Sequence, residues 1–161
     1  MDHDSLTITF LKEAQLEEAV RVIGRSFGID SEEMEDAARL DLSLSFSAYP
    51  YQPVTLVALQ DDNIVGAVQC VPAYFHFSTY AIAWMAVDPD CQGKGIGKAL
   101  MNHAEEYIRS DRLKGKPGTI ILTSRSGVST KLYEGLGYVS GQSTHNGAPV
   151  MVKNVNPPNP A

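Results

Sequence analysis

The chain has 161 residues and a mass of 17.5 kDa, enough for one domain with a real core and short for two. Apolar residues make up 43% and charged residues 20%, which excludes general disorder; thirteen Lys and Arg against nineteen Asp and Glu give a net charge of -6, which disfavours a nucleic-acid binder working through bulk positive charge. Two cysteines, Cys70 and Cys91, are too few to staple a secreted mini-domain and fit a reducing compartment. No apolar run reaches the roughly 20 residues that cross a bilayer. The start, Met1-Asp2-His3-Asp4, is acidic where a signal peptide is basic. The expectation is a cytoplasmic α/β protein with no membrane partner.

Leu6, Ile8 and Phe10 alternate with Thr7 and Thr9, the period-2 pattern of a first strand. Leu16, Ala19, Val20, Ile23 and Phe27 then recur at helical spacing. Ser31 before Glu32 and Glu33 reads as an N-cap with an acidic first turn, so a second helix is expected to run to about Leu44. Pro50 and Pro53 break it. The apolar runs 54–59 and 64–71 flank Asp61-Asp62-Asn63 as a hairpin, and residues 80–87 form another buried strand closed by Asp88-Pro89-Asp90. Ile96, Ala99, Leu100, Ala104, Tyr107 and Ile108 are the inner stripe of a third helix, residues 119–123 a short buried strand, and Val128, Leu132 and Leu136 a short helix ended by Gly135 and Gly137. Residues 138–139 and 150–152 pair last, and residues 154–161 are read as a frayed tail after one domain over 1–153. The order β-α-α-β-β-β-α-β-α-β-β gives a mixed sheet with helices on both faces, and the two crossovers make the strands near Val87 and Leu122 parallel neighbours.

Charge is uneven along the chain. Residues 91–131 carry eight basic and three acidic side chains, and residues 1–62 carry four basic and thirteen acidic ones. That split suggests one surface for an anion and another for a cation, unless it is simple clustering on solvated faces.

The most informative stretch is Gln92-Gly93-Lys94-Gly95-Ile96-Gly97-Lys98, which falls where a buried strand gives way to a helix. Its free N–H groups and the helix dipole converge there, and the glycines admit a ligand to the backbone; phosphate is the natural guest. A dinucleotide G-x-G-x-x-G fails at Lys98 or Leu100, and a P-loop fails because Ala99 follows Lys98.

What fits is Gln-x-x-Gly-x-Gly, from Gln92 to Gly97. Residues 84–100 thereby resemble motif A of the GCN5-related N-acetyltransferase (GNAT) superfamily, and Lys131-Leu132-Tyr133-Glu134-Gly135-Leu136-Gly137-Tyr138 resembles that family's Leu-Tyr-Glu-Lys-Leu-Gly-Phe signature. The resemblance implies the acyl-CoA N-acyltransferase fold, with the sheet splayed between two parallel strands, and acetyl-CoA as co-substrate with no metal. It implies that the amides of residues 92–98 hold the diphosphate with charge from Lys94 and Lys98, that the basic 109–116 stretch lies near the ribose phosphate, and that Met85, Ala86 and Val87 lend backbone groups to the pantetheine arm. The Val87 N–H is then the donor to the thioester carbonyl, and Tyr133 the general acid for the leaving sulfur. Ser126 and Ser129 stand where many relatives carry Asn and Ala. Ser126 is still a candidate contact to the pantetheine.

The general base is not evident. His76, His145 and Asp88 are the candidates, His103 is placed near the inner stripe of the third helix, and water is the default. Cys91, beside the glycine loop, has no histidine near it in sequence, which argues against a covalent route, and Cys70 reads as a core residue. For the acceptor, Glu32, Glu33, Glu35, Asp36 and Asp41 suggest an acidic mouth for a cationic small-molecule or peptide amine, with Tyr49, Tyr51, Tyr74, Phe75 and Phe77 as an aromatic lining. The other function class is a non-catalytic acyl-CoA binding or sensing module, which has no use for Tyr133. An exposed final strand also suggests a homodimer.

Overall fold

A computed structural model describes residues 5–28 and 31–158. The acidic start at residues 1–4 and the last three residues of the expected tail lie outside the described residues. The elements are β1 (Thr7–Phe10), α1 (Leu16–Phe27), α2 (Glu32–Ser43), β2 (Val54–Gln60), β3 (Asn63–Val71), β4 (Thr79–Val87), α3 (Ile96–Glu106), β5 (Gly118–Thr123), α4 (Gly127–Gly135), β6 (Val139–Ser143) and β7 (Pro149–Val155). This is the order that periodicity predicts.

The seven strands lie in one sheet, β1-β2-β3-β4-β5-β7-β6, antiparallel at every pair except β4 with β5. Side chains alternate between two cores because successive strand residues face opposite ways. Val57, Ile64, Ala67 and Ala86 pack with Ala19 and Ile23 of α1 and Leu42 of α2 on one face. Leu56, Val65, Val68 and Ile120 pack with Leu100, Met101 and Ala104 of α3 and Tyr133 of α4 on the other.

β4 and β5 pair only from Thr79–Thr119 to Ala81–Ile121. Beyond that the strands part, although β4 continues to Val87 and β5 to Thr123. The parallel contact therefore lies at the strands' first residues, not near Val87 and Leu122. On its other side β4 is also irregular: Ala67 pairs with Ala86 but Gln69 with Ala83, so an extra β4 residue bulges at Trp84, whose φ is 50°. A bulge of this kind bends the strand and re-aims its groups.

Two expectations change. β7 sits between β5 and β6, so the last strand is internal and the exposed edge on that side is β6. The strand also runs through Asn154 to a buried Val155, and the Asn156 amide donates to the carbonyls of Arg109 and Lys116, so order extends past the boundary expected at 153. As the stripe through Tyr107 and Ile108 implies, α3 continues over residues 107–112, in a wider turn that carries Arg109 and Arg112 to its far end.

Candidate functional site

The glycine loop joins β4 to α3. Asp88 caps the turn by accepting from the Asp90 N–H at 2.9 Å, and Arg25 of α1 bridges Asp88 and Asp90 at 2.8 and 2.9 Å. Gly93 and Gly95 both have φ of 79°, a left-handed conformation that costs any other L-residue about 1–2 kcal/mol. The first helical bond of α3 runs from the Ala99 N–H to the Gly95 carbonyl, so the N–H groups of Ile96, Gly97 and Lys98 have no partner within the helix.

Backbone alternation along β4 opens a second set of donors. The Asp88 N–H donates to the Val65 carbonyl of β3 at 2.8 Å, so the Val87 N–H faces the opposite side, where pairing with β5 has already ended. The Val87 carbonyl accepts from the Gln92 side chain at 3.3 Å, which ties the loop back to the strand.

These groups border a cleft of about 490 Å³ lined by Met85, Ala86, Val87, Gln92, Gly93, Gly95, Ile96, Gly97, Lys98, Ser126 and Tyr133, together with Cys91 and Arg125. A Cβ on Gly97 would stand 2.9 Å from the Met85 methyl carbon, the far end of a flexible side chain that would have to shift. Lys94 is the one expected cofactor residue that does not line the cleft. The 109–116 stretch does not reach it either: α3 carries Arg109 about 20 Å from the loop at 1.5 Å per residue, and Arg112 donates to the Tyr80 hydroxyl.

A second cavity of about 230 Å³ fills the gap between the parted strands and shares Met85, Arg125, Ser129 and Tyr133 with the cleft. Tyr133 is 5% exposed and stands where the two meet. Burial pushes its phenol up to about 12 while the charge of Arg125 acts the other way, so it carries its proton at neutral pH. The ring is held edge-on to Tyr138 at 5.9 Å. Ser126 lines the cleft, but its hydroxyl also accepts from the Ser129 N–H at 3.1 Å as the N-cap of α4.

Sequence reasoning singled out neither Phe27 nor Arg125 as site residues. The Arg125 guanidinium lies 3.0 Å from the centre of the Phe27 ring, and Phe27 leans on Trp84. The Trp84 indole in turn donates to Asp41 of α2 at 2.8 Å. The only local signal was the position of Arg125 between a strand end and a helix cap.

Several candidates lie elsewhere. His76, His145 and Asp88 line neither cavity, and His103 is exposed on the outer face of α3, with its ring bonded to the Ala99 carbonyl. Tyr49, Tyr51, Tyr74, Phe75 and Phe77 gather where β4 begins, the end away from the cleft, and line neither cavity. Part of the acidic half is spent internally, since Arg39 binds Glu17 and Asp36, Asp41 holds Trp84 and Glu18 accepts from the Ile64 N–H, while Glu32 and Glu33 stay exposed and line neither cavity. Burial pushes the Cys70 thiol up to about 12, as befits a core residue. Among the described residues no His, Cys, Asp and Glu group could hold a metal ion, and no helix is long and apolar enough to cross a membrane.

Residues 52–140 match the family model described as an acetyltransferase (GNAT) domain. No curated protein matches the chain significantly. Among solved structures, the PaiA N-acetyltransferase of Thermoplasma acidophilum in complex with coenzyme A is 21% identical, with 92% of this chain and 98% of that one covered at a TM-score of 0.72. The ribosomal-protein-S18-alanine N-acetyltransferase of Escherichia coli is 20% identical, with 94% of each chain covered at 0.73. A GNAT family acetyltransferase of Brucella melitensis in complex with acetyl-CoA is 17% identical, covering 98% and 93% at 0.70.

Proposed function

The chain belongs to the acetyltransferase (GNAT) family, and from that premise we propose that it is an N-acetyltransferase that moves the acetyl group of acetyl-CoA directly onto a primary amine. The observation that carries this reading is the position of Tyr133, protonated, where the glycine-loop cleft opens into the gap between β4 and β5. Family membership leaves no reason to prefer a non-catalytic binding module, for which such a phenol has no task.

The residues present suit the co-substrate. Unpartnered amides at Ile96, Gly97 and Lys98, open backbone at Gly93 and Gly95 and the ammonium of Lys98 form an anion cradle for a diphosphate. Met85 to Val87 offer an unpaired strand edge to an amide-bearing arm. Acetyl-CoA supplies an acetyl group activated as a thioester.

Within this reading the Val87 N–H, turned away from β3 at the cleft, stabilises the charge that gathers on the acetyl oxygen. The amine nitrogen bonds to the acetyl carbon, the carbon–sulfur bond breaks, and Tyr133 gives its proton to the departing sulfur. No carboxylate or imidazole lines the two cavities, so the amine's own proton passes to water. The surroundings of Cys91 offer no base for a covalent route. A reducing, cytoplasmic setting remains part of the proposal.

The test is thiol release from acetyl-CoA against a panel of amines. Amine-dependent release with a matching N-acetylated product supports the reading, and release that no amine accelerates overturns it.

A further inference from the structure

Arg125 borders both cavities and also a third space of about 470 Å³ toward the β6–β7 turn, lined by Ser124, Thr130 and Asn146. Arg25 of α1 is committed to Asp88 and Asp90 and Arg39 of α2 to Glu17 and Asp36, while Arg21 lines none of the three spaces. Among the described residues, no carboxylate pairs with Arg125, and no Asp or Glu lines any of the three spaces.

We infer that the Arg125 guanidinium receives a carboxylate of the acceptor, so that the substrate is a small amine that also carries a carboxylate. The inference deepens the N-acetyltransfer reading and rests on it. It reverses the cationic acceptor expected from the acidic half of the sequence, because those carboxylates do not reach the cavities.

The geometry selects this chemistry. The guanidinium carbon sits over the Phe27 ring at 3.0 Å from its centre, and among the described residues no hydrogen bond or ion pair engages its N–H groups. Those edges match the two oxygens of a carboxylate, a fit that a lysine ammonium cannot reproduce. Burial disfavours the charged form of Arg125, a cost that an incoming anion relieves. Arg125, Phe27 and Tyr133 line the same 230 Å³ gap, so an acceptor held by its carboxylate keeps its amine in the space that Tyr133 borders. A space of that size suits a small molecule.

The experiment compares free amino acids with their carboxamides, and with aminophosphonates, as acceptors for wild type, Arg125→Gln and Arg125→Lys, alongside calorimetry. In the wild type the carboxylate should raise kcat/KM about 10–100-fold over the amide, the usual scale for a hydrogen-bonded charge. Arg125→Gln should erase that preference through KM, and Arg125→Lys should keep part of it. Aminophosphonates that match or exceed the carboxylates would overturn the carboxylate assignment. A second arm titrates N-acetyl amino acids and their amides into CoA-saturated protein. If no amine is acetylated, the N-acetyltransfer reading fails, and this binding arm alone decides the carboxylate site. Equal affinity for acid and amide in the wild type overturns it. So does an Arg125→Gln variant that weakens coenzyme A and leaves the acid–amide preference intact.

Discussion

The Trp84 indole N–H donates to the Asp41 carboxylate at 2.8 Å, and Trp84 is the residue of β4 with a positive φ, 50°. The bond joins α2 to the bulge that parts β4 from β5, so a helix remote in sequence helps hold a strained strand conformation. Gln69 reinforces the junction by donating to the Asp41 carbonyl at 2.7 Å. Asp41→Ala should destabilise the fold by about 1–3 kcal/mol, the cost of leaving a partly buried donor unmet. It should also lower turnover more than coenzyme A affinity. Urea denaturation and steady-state rates check both. An unchanged midpoint and rate would detach α2 from the site.

Tyr133→Phe should cut turnover by about 10²-fold or more while leaving coenzyme A affinity nearly unchanged. The phenol is held up to about 12, so it stays a proton donor through neutral and mildly alkaline pH. A kcat profile should therefore show no descending limb from this group below about pH 11. A rate constant insensitive to the substitution would remove Tyr133 from proton transfer.

Alkaline pH should unfold the protein progressively. Cys70 and Tyr133 both ionise near 12 in the fold, against about 8.5 and about 10 in an unfolded chain. Raised values mean that the unfolded state loses these protons first, so stability is intact below about pH 8.5 and falls as pH climbs toward 12. The combined loss is several kcal/mol, on the order of 1.4 for each tenfold difference in acidity. Denaturation curves at pH 7 and pH 10.5 measure it, and Cys70→Ala should flatten the difference.

Lys98 and Lys94 should separate. Lys98→Ala, at the cleft, should weaken coenzyme A binding by about 3–10-fold and reduce its salt dependence. Lys94→Ala, outside the cleft, should change it less than 2-fold, on the scale of an exposed charge. Equal losses would mean that the ammonium groups act as a general field.

Much of the fold was legible because it is local. Strand and helix periods placed each element, and the glycine spacing between a buried strand and a helix marked the loop whose first helical amides are left open. The remainder depends on contacts between distant segments, about which a residue period is silent. The end of β4–β5 pairing at Ala81, the insertion of β7 beside β5 and the seat of Arg125 on Phe27 are of that kind. Charge along the chain is ambiguous for the same reason. Of the acidic residues of α2, Asp36 turns to Arg39 and Asp41 to Trp84 while Glu32 and Glu33 stay exposed, and the basic residues at the end of α3 lie away from the loop.

Calorimetric titration of coenzyme A, set beside pantetheine lacking the diphosphate, probes the glycine-loop cradle without relying on any acceptor. Saturable binding of coenzyme A, with pantetheine at least about 100-fold weaker, is the predicted outcome. Comparable affinity for the two, or no binding of coenzyme A, would contradict a diphosphate site at residues 92–98.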